Sequence, residues 1–161
     1  MLTFSIQAAE IAAAVARAVA EDNAKACAVF FSGATGSSAA DIYGLFDPTE
    51  EKSSDGRVVF KKRGNDSKII EHFEGKWQMK SATSKGKNSA FAQVVSGCAL
   101  EACVAAVWNV LDSGKWGNQT NVKMSTGAEA EAQASSLNAR IHPRNSPPAL
   151  LRSHAVPSDA L

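Results

Sequence analysis

"FEGKWQMK" (residues 73–80) and "LDSGKWGN" (111–118) share the triplet Gly-Lys-Trp. How it is read decides the fold: it is either a repeated site or one turn used twice. Glycine reverses the chain where positive φ is needed, and a strand follows. Side chains alternate along that strand, so Trp77 and Met79 share one face while Lys76, Gln78 and Lys80 share the other. The lysines are expected in water and the indole in the core. By the same logic Gly114 turns the chain, Lys115 is solvated and Trp116 folds inward. Trp108 and Val110 alternate ahead of the second turn, and Phe60 and Phe73 do so around the first. The expected aromatic core is therefore Phe60, Phe73, Trp77, Met79, Trp108 and Trp116. The functional alternative is a stacking platform for a base or a sugar, which needs two of these rings on a solvent face.

Working outward, turn signals of the same kind recur in "SSDGR" and "RGNDS". They separate short runs rich in Val, Ile, Phe and Trp near 28–33, 42–46, 57–62, 68–73, 76–80, 89–95, 106–111 and 120–124. The spacing predicts a mostly β fold, an antiparallel meander closed into a small barrel or sandwich over residues 27–126. Residues 1–26 read as an N-terminal helix, with Ile11, Val15 and Val19 recurring on an alanine background and Thr3 or Ser5 available as a cap. Its narrow apolar stripe is expected to lie against the sheet or against a partner. Residues 127–161 lose the pattern. "GAEAEAQASSLNARI" suits a short helix, and the proline-bearing remainder reads as a flexible tail.

The chain has 161 residues and a net charge of +1, which suits one domain without a strong field toward nucleic acid or membrane. Glu10 and Arg17 interrupt the apolar N-terminal run, so neither a clean signal peptide nor a membrane span is expected. Three cysteines, an odd number, favour a reducing intracellular compartment, with organellar import left open. "NDS" at 65–67 and "NQT" at 118–120 then read as polar turns rather than glycosylation acceptors.

Four features are candidates for chemistry. "SGATGSS" at 32–38 follows an apolar run, as in a dinucleotide fold. Yet Gly44 and Pro48 break the helix such a site requires, and no βαβ pattern follows. It reads as a turn between antiparallel strands. Cys98 and Cys103 lie close in sequence, but zinc needs two further ligands and only Cys27 and His72 are near the strand region. His72 lies between Glu71 and Phe73, and adjacent strand residues face opposite ways, so Glu71 cannot orient it. No catalytic residue, metal or cofactor is expected. The fourth feature is charge. Residues 57–87 hold nine Lys/Arg against Asp66, Glu71 and Glu74, while the rest of the chain is net acidic. Lys61, Lys62, Arg63, Lys76, Lys80, Lys85 and Lys87 form a candidate basic hairpin for phosphate, an anionic ligand, nucleic acid or an acidic protein face. A solvated, edge-guarding strand face is the competing reading.

Several short motifs fall in order across the centre: Gly44 and Phe46 with Pro48-Thr49, then Gly56-Arg57-Val58, the Trp77 strand, and Trp108 before Gly114-Lys115-Trp116. In these the chain resembles a small β-rich module of proteins from algae, oomycetes and other protists, often found in tandem or beside other domains. That family often has asparagine where Tyr43 stands. The resemblance implies a compact β unit used for contacts, with no assigned activity. The expected function is a non-catalytic interaction or structural module, with protein partners met through the terminal segments and the basic hairpin. The alternative is an OB-like module binding a small ligand or nucleic acid, and a small enzyme using His72 comes third.

Overall fold

The computed structural model describes residues 2–141. The tail expected beyond residue 141, with His142 and His154, lies outside the described residues. Helix α1 (Leu2–Ala24) leads into β1 (Val29–Ser32), the single turn α2 (Ala39–Ile42) and β2 (Gly44–Lys52). Then follow β3 (Val58–Lys62), β4 (Asn65–Phe73), β5 (Lys76–Ser81), β6 (Ala92–Val95), β7 (Trp108–Asp112), β8 (Lys115–Gln119), β9 (Lys123–Thr126) and α3 (Gly127–Ile141).

The nine strands form one antiparallel sheet in the order β8-β7-β6-β5-β4-β3-β2-β1-β9. It curls into a half-barrel, as the turn chemistry and alternation predict for a mostly β meander. A single strand was expected at 120–124. A turn at Thr120–Asn121 instead divides the region into β8 and β9, and β9 crosses back to pair with β1. Pro48 sits in β2 beyond the last residue that pairs with β1, so its missing N–H leaves no gap in that ladder.

The core fills the concave face. Phe31 stacks edge-on against Phe46 and Trp108, and Phe60 against Trp77, with ring centroids 5.1–6.0 Å apart. Met79, Ile70, Val110 and Leu100 complete it. Each such buried side chain contributes roughly 1.5–3 kcal/mol. Phe60, Trp77, Met79 and Trp108 are in this core. Two expected members are not: Phe73 is half-buried on the convex face, and Trp116 is 44% exposed.

The reason is geometric. Both Gly-Lys-Trp turns are two-residue reversals with positive φ, Glu74-Gly75 (48° and 77°) and Ser113-Gly114 (49° and 81°). Successive turns of a meander alternate between the two ends of the sheet. The β4–β5 and β7–β8 turns are three strands apart, so they close opposite ends. Flipping a hairpin end for end while the meander keeps its direction also exchanges its faces. The same turn therefore sends Trp77 inward, opposite His72, and Trp116 outward, opposite Leu111.

Residues 127–141 form a helix of four turns, α3, packed on the convex side of β1 and β2. There Ala130, Ala134 and Leu137 meet Ala28, Phe30 and Leu45. Small residues let the helix sit close, and the Gly127 N–H donates to the Ala28 carbonyl at 2.8 Å. α1 behaves differently. Most of its stripe is not covered by the sheet: Ile11 and Val15 are 65% and 58% exposed, while Val19, nearer the barrel, is half-buried.

Candidate functional site

Among the described residues, the hydrogen bonds that fasten α1 to the barrel come from its last turn. Asn23 donates to the Gly56 carbonyl at 2.8 Å and accepts from the Val58 N–H at 3.0 Å. Asp22 pairs with Arg57 at 3.1 Å. Arg57 is itself buried; it also donates to the Gly97 carbonyl and lies 6.0 Å from the Trp77 ring. Trp77 donates to the Cys98 carbonyl at 2.9 Å. The space lined by Asp22, Arg57, Trp77 and Glu101 is about 10 Å³, the size of one water.

His72 belongs to this polar lock. As alternation requires, Glu71 is on the opposite face, and the carboxylate that reaches His72 is Asp55 from the β2–β3 turn. Nδ1 faces Asp55 and Nε2 faces the Ser96 carbonyl at 2.7 Å. Both ring nitrogens are thus engaged by acceptors, and the ring is buried. General acid–base work needs a nitrogen that can reach a substrate, and neither is free for it. Burial alone would raise the Asp55 carboxyl, but hydrogen bonds from Ser53 and His72 outweigh it and hold the group below its usual value. The pair connects the β2–β3 turn to β4 and the segment after β6.

Four of the seven expected basic residues, Lys61, Arg63, Lys80 and Lys85, lie against acids. Glu51 accepts from both Lys61 and Lys85, the latter at 2.7 Å. The two ammonium hydrogen bonds, Lys61 foremost, hold the Glu51 carboxyl down at about 2. Arg63 bridges Asp47 and Glu131, both at 2.6 Å, and so ties the β3–β4 turn to α3. Lys62 caps α2 by donating to the Ala40 and Asp41 carbonyls at 2.7 and 3.1 Å. Burial pushes its ammonium below the ordinary lysine value. Lys76 is half-buried and Lys87 exposed.

Lys80 departs most from expectation. It was expected in water like Lys76, yet it is 0% exposed on the convex face, 3.0 Å from Glu71, itself 1% exposed. The connection between β5 and β6, residues 82–91, explains this by folding back over the sheet. Lys80 donates to the Lys87 carbonyl at 2.7 Å and lies 4.9 Å from the Phe73 ring. The Gly86 N–H reaches both Glu71 oxygens at 3.0–3.1 Å, and Gln78 donates to Asn88 at 2.8 Å. A polar loop thus pins itself to the sheet through a buried ion pair.

The glycine loop at 33–38 holds an anion supplied by the chain itself. Asp112, at the β7–β8 turn, accepts from the Ser37 N–H at 2.9 Å, and that bond foremost keeps its carboxyl below the usual range. Gln119 exchanges two hydrogen bonds with Thr35, at 2.9 and 3.0 Å. As expected, the loop joins antiparallel strands, β1 and β2.

Among the described residues no three His, Cys, Asp or Glu side chains gather as metal ligands. Cys27, Cys98 and Cys103 are free thiols; burial raises Cys103 and, together with Glu101, Cys27. No helix among the described residues is long and apolar enough to cross a membrane. Comparison with protein-family models, curated proteins and solved structures gives no match. The candidate functional surfaces are therefore defined by geometry alone: the overhanging face of α1, and the uncovered convex face around Trp116.

Proposed function

We propose that the protein is a non-catalytic interaction module, an accessory subunit that meets a protein partner through α1. One observation carries the reading: a helix of 23 residues is fixed at a single end and presents Ile6, Ile11 and Val15 to solvent. An isolated helix of this length is marginal in water, and tertiary packing normally supplies the rest of its stability. Ile11 and Val15 lie on the same side of the helix as Asp22, which faces the barrel. A partner seated there would meet both the helix stripe and the end of the barrel, and an apolar helix face is the surface that fits it. The engagement of both His72 nitrogens supports a non-catalytic role.

The test uses the full chain with a photo-crosslinking residue at position 11 or 15 in native lysate. With the crosslinker at 11, Val15→Glu should abolish the crosslinked species, and with it at 15, Ile11→Glu should, while Glu10→Gln, off the stripe, should leave it. Because these side chains are exposed, thermal stability should stay within about 0.5 kcal/mol of wild type. An unchanged crosslinking pattern in Ile11→Glu and Val15→Glu would refute the reading. A second reading, small-ligand binding on an aromatic face, is favoured by the exposure of Trp116.

A further inference from the structure

The sheet register aligns five side chains that the sequence scatters over 48 residues. Glu71 stands opposite Gln78, Gln78 opposite Gln93, Gln93 opposite Asn109, and Asn109 opposite Asn118. One carboxylate and four amides therefore cross β4 to β8 in a single row. The row is on the convex face, since its neighbours along each strand, among them Trp77, Val94, Trp108 and Val110, fill the core.

The two ends of the row differ. Glu71 and Gln78 are sealed beneath residues 82–91. From β6 onward the face opens: Val95 is 78% exposed, and Trp116 and Asn118 are exposed beside it, while α3 packs on β1, β2 and β9. Alternation places Gln93, Val95, Asn109, Leu111, Trp116 and Asn118 on this part of the face, with no charge among them. Neighbouring strands are about 4.8 Å apart, so the three open amides span about 10 Å. The indole lies two residues from Asn118 on the same side of β8.

The polar groups here are incompletely satisfied. Asn109 Oδ1 is buried without a hydrogen-bond partner, and so is Gln78 Oε1 deeper in the row. Native proteins rarely leave buried amide oxygens in that state. The occupant must match what the face offers. Amides donate and accept, which suits hydroxyl groups. An indole face takes up a partly positive, apolar C–H surface. A purely apolar partner would leave the amides unpaired. A nucleic acid would need several cations for its phosphates, and the one cation beside this part of the face is Lys76, opposite Val95. Lys115, the cation on β8, points the other way.

We propose that the convex face of β6, β7 and β8 binds a neutral carbohydrate. A pyranose ring stacks on Trp116, and its hydroxyls exchange hydrogen bonds with Gln93, Asn109 and Asn118. The site is independent of α1, so it stands or falls apart from the partner reading above.

The test titrates the full chain with neutral β-linked gluco-, manno- and xylo-oligosaccharides and follows the three indole N–H resonances by NMR. Binding should move the Trp116 resonance and leave those of the buried Trp77 and Trp108 in place. Trp116→Ala should weaken binding about tenfold or more, a loss of about 1.4 kcal/mol. Asn109→Leu should also weaken it without lowering thermal stability, because it removes an unpartnered amide. A merely structural Asn109 would instead lose stability and leave affinity unchanged. The proposal fails if no oligosaccharide moves the Trp116 resonance, or if Trp116→Ala binds as wild type. It fails equally if only an oligonucleotide moves that resonance, with affinity falling steeply in salt.

Discussion

Lys80→Met removes the cation of the buried pair and keeps most of its volume. In the wild type Glu71 is held by Lys80 at 3.0 Å and by the Gly86 N–H at 3.0–3.1 Å. After the substitution a carboxylate with almost no solvent contact retains the amide alone. Removing one partner of a buried pair costs about 3–5 kcal/mol. Total stability of a domain this size is about 5–15 kcal/mol, so the variant is severely weakened. The midpoint of thermal unfolding should fall by about 10–20 °C. The double variant Glu71→Leu/Lys80→Met removes both charges of this buried pair. It still leaves the Gly86 N–H and the Lys87 carbonyl without their partners, worth about 1–3 kcal/mol. It should therefore be more stable than Lys80→Met alone. Urea unfolding followed by circular dichroism gives both values, and hydrogen exchange at Gly86 reports whether the loop has lifted. A loss below about 1 kcal/mol for Lys80→Met, or a double variant as weak as the sum of its singles, would refute the reasoning.

Three further outcomes are expected. Gly33 and Gly64 share the same φ, 79° and 80°, but a Cβ at Gly33 would stand 2.0 Å from the Asn121 carbonyl oxygen while one at Gly64 meets nothing within 4 Å. Gly64→Ala should cost about 1–2 kcal/mol from the left-handed backbone alone, and Gly33→Ala distinctly more, as thermal unfolding of the pair will tell. Glu51 is held at about 2 when folded, below its unfolded value of about 4.5, so its contribution to stability is complete above pH 4.5 and is lost as pH falls through 2. Carboxyl-carbon NMR should find its midpoint near 2, and Glu51→Gln should abolish that part of the acid dependence. Arg57→Ala should cost about 2–3 kcal/mol, and limited proteolysis should find new cleavage around residues 20–26 as α1 detaches.

The meander was legible because its turns announce themselves. Glycines at 56, 64, 75 and 114 all adopt positive φ, between 77° and 83°, and each marks a reversal seen in the sequence. Trp77 and Trp108 were legible as core by alternation. Trp116 was not, because alternation fixes which residues share a face and says nothing of which face is inside. Counting strands between the two Gly-Lys-Trp turns would have given the answer. Lys80 was missed for a different reason: its burial depends on residues 82–91 folding over the sheet, and a polar, glycine-bearing segment gives no local sign of where it will lie. The ladder Glu71–Gln78–Gln93–Asn109–Asn118 was invisible for the same cause, since it exists only once the register is known. The α1 stripe was read correctly as apolar, but its direction past the end of the barrel depends on contacts at residues 22 and 23 with Gly56, Arg57 and Val58.

Strand β1 is flanked by β2 on one side and β9 on the other, and Val29 pairs with Thr126 across most of the chain. During synthesis the run Val-Phe-Phe-Ser emerges well before β9 and keeps one unpaired edge until the ninth strand arrives. A nascent chain stalled near residue 120 would carry that apolar ribbon ready to join another copy of itself. Successful production should thus hinge on how quickly the segment carrying β9 is translated, and fragments ending before β9 should collect in aggregates.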